Sequence, residues 1–208
     1  MRKAMKQMES IHFKKVEVFI EVRDARVPKT SENPELLSIL PPSMKRLVVY
    51  NKIDLVPLRK ASELIKQQHA QSQIPYMTLS TKSNVNIGKL LEFILKNANS
   101  EFQTVGGWCM IGGVPNVGKS TIINTLRKRD TTIEHNKKSG ARTGGEPCVT
   151  KSISGFKIIS DPPTYIQDTP GIFIPHLKES EQGMKLCAVN CIRDGIVEGE
   201  LVCDYVLF

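Results

Sequence analysis

Short apolar runs alternate along the chain with segments in which apolar residues recur every three or four positions. The segments with the longer period cover residues 58–70 and 87–95 and have the pattern of helices that bury one face. The apolar runs have the length of strands that are covered on both faces, and they comprise residues 16–22, 47–50, 76–79 and 108–111. Because strands and helices alternate, we expect an α/β fold whose sheet is mostly parallel and carries helices on both faces.

Weaker patterns complete this outline. Residues 1–15 have the spacing of a basic amphipathic helix, and residues 35–40 have that of a short helix. Two strands are predicted on either side of the turn at residues 161–163, and a helical pattern near the C-terminus places Cys187 and Cys191 on one face. We expect these two cysteines to pack in the core, because no companion ligands stand at metal-site spacing.

The composition is that of a globular protein, and its charge is uneven. The 208 residues are 40% hydrophobic and 24% charged, which argues against disorder and collagen-like repeats. The net charge of +8 favours a polyanionic partner, and residues 1–104 hold most of the excess with 17 basic and 10 acidic side chains. Five cysteines at irregular positions indicate a reducing compartment. No apolar run approaches 18 residues, so no transmembrane segment is predicted.

The strongest chemical signal is a glycine-rich loop between a predicted strand and a predicted helix. Residues 113–120 fit G-x-x-x-x-G-K-S, a loop whose backbone N–H groups surround phosphate oxygens. Lys119 would reach the β- and γ-phosphates, and the Ser120 hydroxyl would bind Mg²⁺. The alternative is an ordinary glycine-rich turn. The nucleotide-binding residues expected here are Asn116, Val117, Gly118, Lys119, Ser120 and Thr121.

A second loop has the sequence Asp168-Thr169-Pro170-Gly171 and follows the end of another predicted strand. A carboxylate at Asp168 could hold a metal-bound water, and the Gly171 N–H could meet a γ-phosphate. This sequence alone is also typical of a common turn. A role in nucleotide binding is favoured because this loop follows the phosphate-loop lysine, where the second half of a nucleoside triphosphate site is expected.

The sequence Asn51-Lys52-Ile53-Asp54 follows a buried strand and indicates which base is bound. An ionised Asp54 can accept two hydrogen bonds from the N1–H and N2–H₂ edge of guanine, whereas adenine offers no such pair of donors. Asn51 would contact the purine and tie loops together, while the Lys52 stem would pack along the ring. Since the base-reading face is wrong for adenine, an ATPase or a kinase is disfavoured.

The next predicted strand is followed by Ser80-Thr81-Lys82, which could supply a backbone N–H to the guanine oxygen. A plain polar turn explains this tripeptide as well. We include all three residues in the predicted base site because the other loops of that site are present.

The order of these motifs is unusual, because the base-reading Asn51 precedes the phosphate-loop Lys119. In this the sequence resembles the circularly permuted GTPases. Among them it is most similar to the family of mitochondrial GTPase 1 and its bacterial ribosome-biogenesis relatives. The resemblance covers nearly the whole chain, and it is carried by the motifs already quoted together with Asp24-Ala25-Arg26, Asn33-Pro34 and Gly144-Gly145-Glu146-Pro147.

The resemblance implies a P-loop NTPase fold with a circularly permuted G domain that binds GTP or GDP together with Mg²⁺. It further implies GTP hydrolysis in the service of large-subunit assembly of the mitochondrial ribosome. It assigns Thr150 as the switch threonine that binds Mg²⁺, although Cys148 stands where the family usually has glycine. The implied metal ligands are therefore Ser120, Thr150 and Asp168.

The resemblance also bears on the rate of hydrolysis. Many GTPases orient the attacking water with a glutamine after the switch glycine, but Ile172 stands there in this chain. Families with this replacement often use K⁺ held by an asparagine that maps onto Asn116. A histidine of the relatives is missing as well, so slow hydrolysis is expected of this chain alone. The residues expected to take part in catalysis are Lys119, Asn116, Thr150 and Gly171.

Residues 1–174 are predicted to form the permuted G domain, with a linker at about residues 98–107, and residues 175–208 to begin a C-terminal helical region. The expected partner is the large ribosomal subunit in the mitochondrial matrix, with peripheral inner-membrane association left open and a monomeric state expected. No transit peptide is evident in the sequence. The alternative function is a GTP- or GDP-sensing RNA- or ribosome-binding scaffold with little hydrolysis of its own.

Overall fold

A computed structural model describes residues 16–34, 38, 40–98, 106–130, 154–169, 180–192 and 199–207. The helices predicted at residues 1–15 and 35–40 lie outside these residues, apart from isolated positions of the second. Within these ranges there are six strands, in chain order β1 Val18–Asp24, β2 Lys45–Asn51, β3 Tyr76–Thr78, β4 Gly107–Gly112, β5 Ser154–Ile159 and β6 Thr164–Asp168. The α-helices are α1 Leu58–Gln68, α2 Ile87–Asn97, α3 Lys119–Arg127, α4 Ser180–Ala188 and α5 Gly199–Leu207.

The six strands form one sheet in the order β3-β2-β1-β4-β6-β5. All neighbouring pairs are parallel except β5 and β6, which are antiparallel at one edge. This confirms the predicted α/β fold with a mostly parallel sheet. The four strands β1 to β4 and the helices α1 and α2 agree with their predicted bounds to within about two residues at their ends.

Successive side chains of β1 and β2 point to opposite faces of the sheet. Since apolar residues occupy both sets of positions, each face of the sheet packs against an apolar core. On one face Val18, Ile20 and Val22 join the main core, to which α2 contributes Ile87, Leu90 and Ile94. On the other face a smaller core holds Val48 and Tyr50 against Ala61 and Ile65 of α1. Burial of both faces explains why the central strands are continuous apolar runs.

The two halves of the sequence meet in the middle of the sheet, where β1 pairs with β4. Ala98 at the end of α2 is buried, and Gly107 is the first residue of β4 although the linker was predicted to extend through it. A Cβ added to Gly107 would lie 1.7 Å from the Ala98 carbonyl oxygen, so only glycine fits this approach. The described ends of the predicted linker therefore lie within one packed unit.

The C-terminal elements contact this unit. Leu186 and Cys187 of α4 belong to the main core, as do Cys191 and Ile192 just beyond it. The two cysteines are buried as predicted, but Cys191 lies after the end of α4 and not on the helix. Within the described residues, no helix combines the length and the apolar character needed to cross a membrane.

Candidate nucleotide-binding site

Those predicted site residues that the structure describes gather at one edge of the sheet, where the parallel strands end. Asp24, Asn51 and Asp168 are the last residues of β1, β2 and β6, and the phosphate loop follows β4. Since carboxyl ends of parallel strands lie side by side, loops that are distant in sequence become neighbours here. Ligands of open α/β sheets bind at this edge.

The phosphate loop has the backbone that its glycines permit. Gly113 has a φ of +144° and Gly118 has a φ of +100°, and the nonglycine Asn116 also adopts a positive φ of 55°. A Cβ at Gly118 would lie 2.4 Å from Asn51 Nδ2, so the loop packs directly against the base-reading segment. Gly118 is the N-cap residue of α3 and provides no side-chain cap, and the N-terminus of a helix is a favourable place for an anion.

Lys119 lies inside this loop and is buried. Its Nζ donates to the carbonyl oxygens of Gly113 at 2.9 Å and Val114 at 2.8 Å. A buried ammonium needs such acceptors, because burial penalises an unpaired charge. The contacts hold the cation at the centre of the loop, where it could meet the oxygens of a polyphosphate.

Ser120 and Asp168 lie side by side, as a magnesium site would require. The Ser120 hydroxyl donates to Asp168 Oδ2 at 3.0 Å, and Asp168 is buried. Hydroxyl and carboxylate oxygens are ligands that Mg²⁺ accepts, often with retained waters, so this pair could hold that ion. Thr150 and Gly171, the other residues predicted near the metal and the γ-phosphate, lie outside the described residues, as does Ile172.

The base-reading segment is tied to the phosphate loop by two side chains. Asn51 Nδ2 donates to the Val117 carbonyl oxygen at 2.8 Å, and Lys52 Nζ donates to the Asn116 carbonyl oxygen at 2.6 Å. Lys52 has a positive φ of 64°, which turns the backbone into the short helix Ile53–Leu55. A base and a phosphate group could therefore be held by one connected structure.

Asp54 and the loop after β3 form the remaining part of the predicted base site. Asp54 is exposed, and its Oδ1 accepts a 2.5 Å hydrogen bond from the Ser80 hydroxyl. The Ser80 oxygen in turn accepts from the Ser83 N–H at 3.0 Å. Thr81 is half-buried and Lys82 is exposed beside them. The exposed carboxylate is free of a competing cation in the described contacts, so it could accept the hydrogen bonds of a guanine edge.

Asp24 is a member of the site for which the residues alone suggested no chemistry. Its side chain is fully buried and accepts hydrogen bonds from Arg26 Nε at 2.9 Å and Arg26 Nη2 at 2.8 Å. Lys52 Nζ donates to Asp24 Oδ2 at 2.8 Å. Burial would raise the pKa of Asp24, but Arg26 and Lys52 together lower it below its ordinary value. The carboxylate therefore remains charged.

The turn at the end of α4 also contacts the site. Arg26 Nη2 donates to the Val189 carbonyl oxygen, and Asn116 Nδ2 donates to the Asn190 carbonyl oxygen, both at 2.9 Å. These bonds span 163 and 74 positions of the chain, which is why no local pattern indicated them. In the sequence, Asp24 and Arg26 were indicated as site residues only by the family resemblance, which included Asp24-Ala25-Arg26.

Cys109, Cys191 and Trp108 serve packing. Burial raises the pKa of Cys191 to about 12 and that of Cys109 further, so both thiols are protonated at neutral pH. Among the described residues, no three His, Cys, Asp or Glu side chains are grouped as metal ligands. Trp108 stacks on Tyr165 with ring centroids 4.7 Å apart, as expected of a packing residue.

Comparison with protein families and curated relatives finds GTPases. A family model described as "50S ribosome-binding GTPase" matches residues 109–198. Mitochondrial GTPase 1 of Aedes aegypti is 34% identical over 218 residues, which include 100% of this chain and 67% of the relative. Mitochondrial ribosome-associated GTPase 1 of Mus musculus is 32% identical, with 100% of this chain and 64% of the relative covered. The chain thus spans about two thirds of the length of these relatives.

A solved structure described as the GDP-bound structure of TM YlqF is similar in fold. It has a TM-score of 0.61 and 22% sequence identity, and the match covers 90% of this chain and 67% of that one. At this identity the likeness concerns the fold. It supports the α/β fold described above.

Proposed function

Because the chain belongs to the mitochondrial GTPase 1 family, we propose that it binds and hydrolyses GTP as an assembly factor for the large subunit of the mitochondrial ribosome. The observation that carries this proposal is the meeting of two loops. The base-reading Asn51 and Lys52 donate directly to carbonyl oxygens of the phosphate loop. A guanine base and a triphosphate would therefore be bound by one continuous surface.

Each loop has a part in holding the nucleotide. The N–H groups of residues 116–121 would surround the phosphates at the N-terminus of α3, where the helix dipole favours negative charge. Asp54 would accept the guanine N–H groups, with Ser80, Thr81 and Lys82 forming the wall beside it. The buried Lys119 is already oriented by two loop carbonyls, so little side-chain entropy is lost when it meets a phosphate.

Ser120 and Asp168 fit a magnesium ion, and Thr150 is proposed as a further ligand. Mg²⁺ bound there would neutralise negative charge on the β- and γ-phosphates. Asp168 is aligned by the Ser120 hydroxyl, and the neighbouring Thr169 is anchored to the Ile111 carbonyl oxygen through its hydroxyl at 2.9 Å. This anchor holds Thr169 just after the end of β6, two positions before Gly171, the residue proposed to meet the γ-phosphate.

We expect hydrolysis to be slow without a partner. The side chain of Ile172 has no polar atom with which to orient a water, so positive charge near the phosphates must contribute more of the rate. Asn116 is the residue proposed to bind K⁺ for this purpose. Its amide nitrogen donates to the Asn190 carbonyl oxygen, which directs the side chain toward α4.

The proposed partner is the large ribosomal subunit in the mitochondrial matrix. The support is the name of the mouse relative, the description of the matching family model and the net charge of +8. Charge attraction to RNA phosphates predicts salt-sensitive binding of low sequence specificity. Contact of the basic surface with the inner membrane and a monomeric state are further parts of this proposal.

The hydrolysis proposal is tested by measuring GTP turnover in K⁺ and in Na⁺, each with and without large ribosomal subunits. We expect slow turnover alone, with acceleration by K⁺ and by the subunits. Asn116→Ala should lose the K⁺ effect, while Asn124→Ala on α3 serves as the control. Equal and fast turnover in all four conditions would contradict the proposal.

The alternative is a GTP- or GDP-sensing ribosome-binding scaffold, which Ile172 in place of glutamine favours. Co-sedimentation with subunits in GDP and in a non-hydrolysable GTP analogue tests binding in either case. Multiple-turnover hydrolysis stimulated by subunits separates the two functions. Nucleotide-dependent co-sedimentation without stimulated turnover would support the scaffold.

A further inference from the structure

The buried carboxylate of Asp24 connects three parts of the molecule. It accepts from Lys52 of the base-reading segment at 2.8 Å and from both Nε and Nη2 of Arg26. Lys52 Nζ also donates to the Asn116 carbonyl oxygen of the phosphate loop. Arg26 Nη2 also donates to the Val189 carbonyl oxygen, just after the end of α4. One side chain therefore joins the strand β1 to both nucleotide loops and, through Arg26, to the C-terminal helices.

The geometry fixes the position of the Lys52 ammonium from two sides. One contact is a charge-assisted hydrogen bond to Asp24 and the other is a hydrogen bond to a main-chain carbonyl. Because the head of the lysine is held, its aliphatic stem is confined to a short path past the base site. Without Asp24 the ammonium would keep only a neutral acceptor and would gain freedom to move into solvent, since the side chain is 23% exposed.

Arg26 orients the carboxylate that performs this task. Its two N–H donors approach Asp24, and the Arg26 backbone N–H donates to Asp24 Oδ1 at 3.0 Å. The backbone N–H of Asp24 in turn donates to the Ser31 hydroxyl oxygen at 3.1 Å. The carboxylate thus has a single orientation, with Oδ2 directed at Lys52.

We propose that Asp24 is a positioning residue for guanine-nucleotide binding, which acts by holding Lys52 against the base and phosphate loops. This inference rests on the proposed function of the site. Asp24 holds the Lys52 ammonium and thereby positions the lysine stem, and it has no part in recognising the hydrogen-bonding edge of the base. Its loss should therefore weaken binding of GDP, IDP and XDP by the same factor, whereas loss of Asp54 should change which base is preferred.

Asp24→Asn is the first variant, because it keeps the shape of the side chain and an oxygen for Arg26. Loss of a charged hydrogen-bond partner should weaken GDP about tenfold and speed GDP release correspondingly. Glu21→Gln is the matched control, since Glu21 is an equally buried carboxylate on β1 that pairs with Arg23 and Arg46 away from the site. The control should lose stability but keep its GDP affinity.

A double-mutant cycle provides a readout that a general structural defect would not move. Lys52→Met alone should weaken GDP, and addition of Asp24→Asn to Lys52→Met should cause little further loss. Should Asp24→Asn fail to fold by circular dichroism, Arg26→Gln carries the same test, because it releases the orientation of the carboxylate and should weaken GDP severalfold. Arg26 is 28% exposed, so its replacement disturbs packing less.

The outcomes are distinct. GDP affinity within twofold of wild type in a folded Asp24→Asn protein, or losses that add fully to those of Lys52→Met, would overturn the inference. Absence of guanine-nucleotide binding by the wild-type chain would instead overturn the proposed function. Equal losses in Asp24→Asn and Glu21→Gln would assign the effect to stability alone and would also overturn the inference.

Discussion

At the scale of single residues, the site depends on side chains that serve two loops at once. Asn51 and Lys52 donate to the phosphate loop from positions that would face the base, and Ser80 donates to Asp54. A change at Asn51 or Lys52 should therefore affect base and phosphate binding together, whereas a change at Ser80 should affect base binding. Asp54 and Ser120 are different, because each has one chemical task that can be tested separately.

Asp54→Asn should exchange the preferred base. An amide offers one donor and one acceptor where the carboxylate offers two acceptors, so it mismatches the N1–H and N2–H₂ edge of guanine and matches the xanthine carbonyl. We expect GTP to bind at least about 100-fold more weakly and XTP to be favoured, as measured by calorimetry. Asp161→Asn in an exposed turn is the control. Unchanged GTP affinity in Asp54→Asn would show that Asp54 does not read the base.

Ser120→Ala should remove the part of nucleotide affinity that depends on Mg²⁺. In the wild-type chain we expect GDP to bind about tenfold more tightly with Mg²⁺ than with EDTA, because the ion bridges protein and phosphate oxygens. The variant should bind GDP with similar affinity in both conditions. Thr125→Ala on the same helix, where the hydroxyl donates to the Thr121 carbonyl oxygen, should keep the dependence. A persistent Mg²⁺ effect in Ser120→Ala would rule out this ligand.

At the scale of elements, α1 is attached to the sheet by an aromatic cluster at its C-terminal end. Tyr50 of β2 contacts Gln68 and His69 through its hydroxyl, at 3.2 and 3.0 Å. His69 stacks on Tyr76 of β3 with ring centroids 4.3 Å apart. Burial and the nearby Arg23 lower the pKa of His69, so the ring is neutral at physiological pH. The attachment of α1 is therefore sensitive to acid.

His69 should contribute to a loss of stability in mild acid. The folded pKa lies below the unfolded value of about 6.5, so the unfolded chain binds a proton first as the pH falls. The stabilisation by neutral His69 is complete above that value and is lost as the pH falls through the folded pKa. Urea unfolding at pH 7 and pH 5 should show a smaller pH dependence in His69→Gln than in wild type. An identical dependence would contradict this role.

At the scale of the whole molecule, the sheet order unites the two halves of the sequence. Pairing of β1 with β4 places the base-reading half and the phosphate-binding half in one sheet, and α2 shares the main core with α3 and α4. Removal of either half would expose apolar surface along the whole central strand. The halves should therefore fold and unfold together.

Ile94→Ala in α2 tests this unity. Deletion of a fully buried side chain costs about 2–5 kcal/mol, and the loss should be shared by both halves. Trp108 on β4 reports the second half by fluorescence, while circular dichroism reports all helices. Both signals should show one coincident transition, shifted equally by the substitution. A Trp108 transition that stays in place while circular dichroism shifts would indicate independent halves.

Much of the fold could be predicted from local sequence pattern, because the spacing of buried apolar residues differs between strands and helices. The continuous apolar runs of β1 and β4 predicted strands covered on both faces, and the pattern of α2 predicted a helix with one buried face. The motifs of the site also followed predicted strand ends, so Lys119, Asp54 and Asp168 were proposed as neighbours. Element ends and the helical placement of Cys191 were less accurate, since local period does not mark where a chain turns.

The amino-acid sequence by itself determined which segments are strands and helices and which side chains are proposed to carry phosphate and base chemistry. Only the tertiary structure decided that β1 lies between β2 and β4, and that Asp24 meets Lys52 while Arg26 meets Val189. A hydrophobic pattern specifies that a residue is buried but not which residue lies opposite. Contacts between residues 28 or 163 positions apart depend on the order of strands in the sheet. That order follows from the packing of the whole chain, which no local window contains.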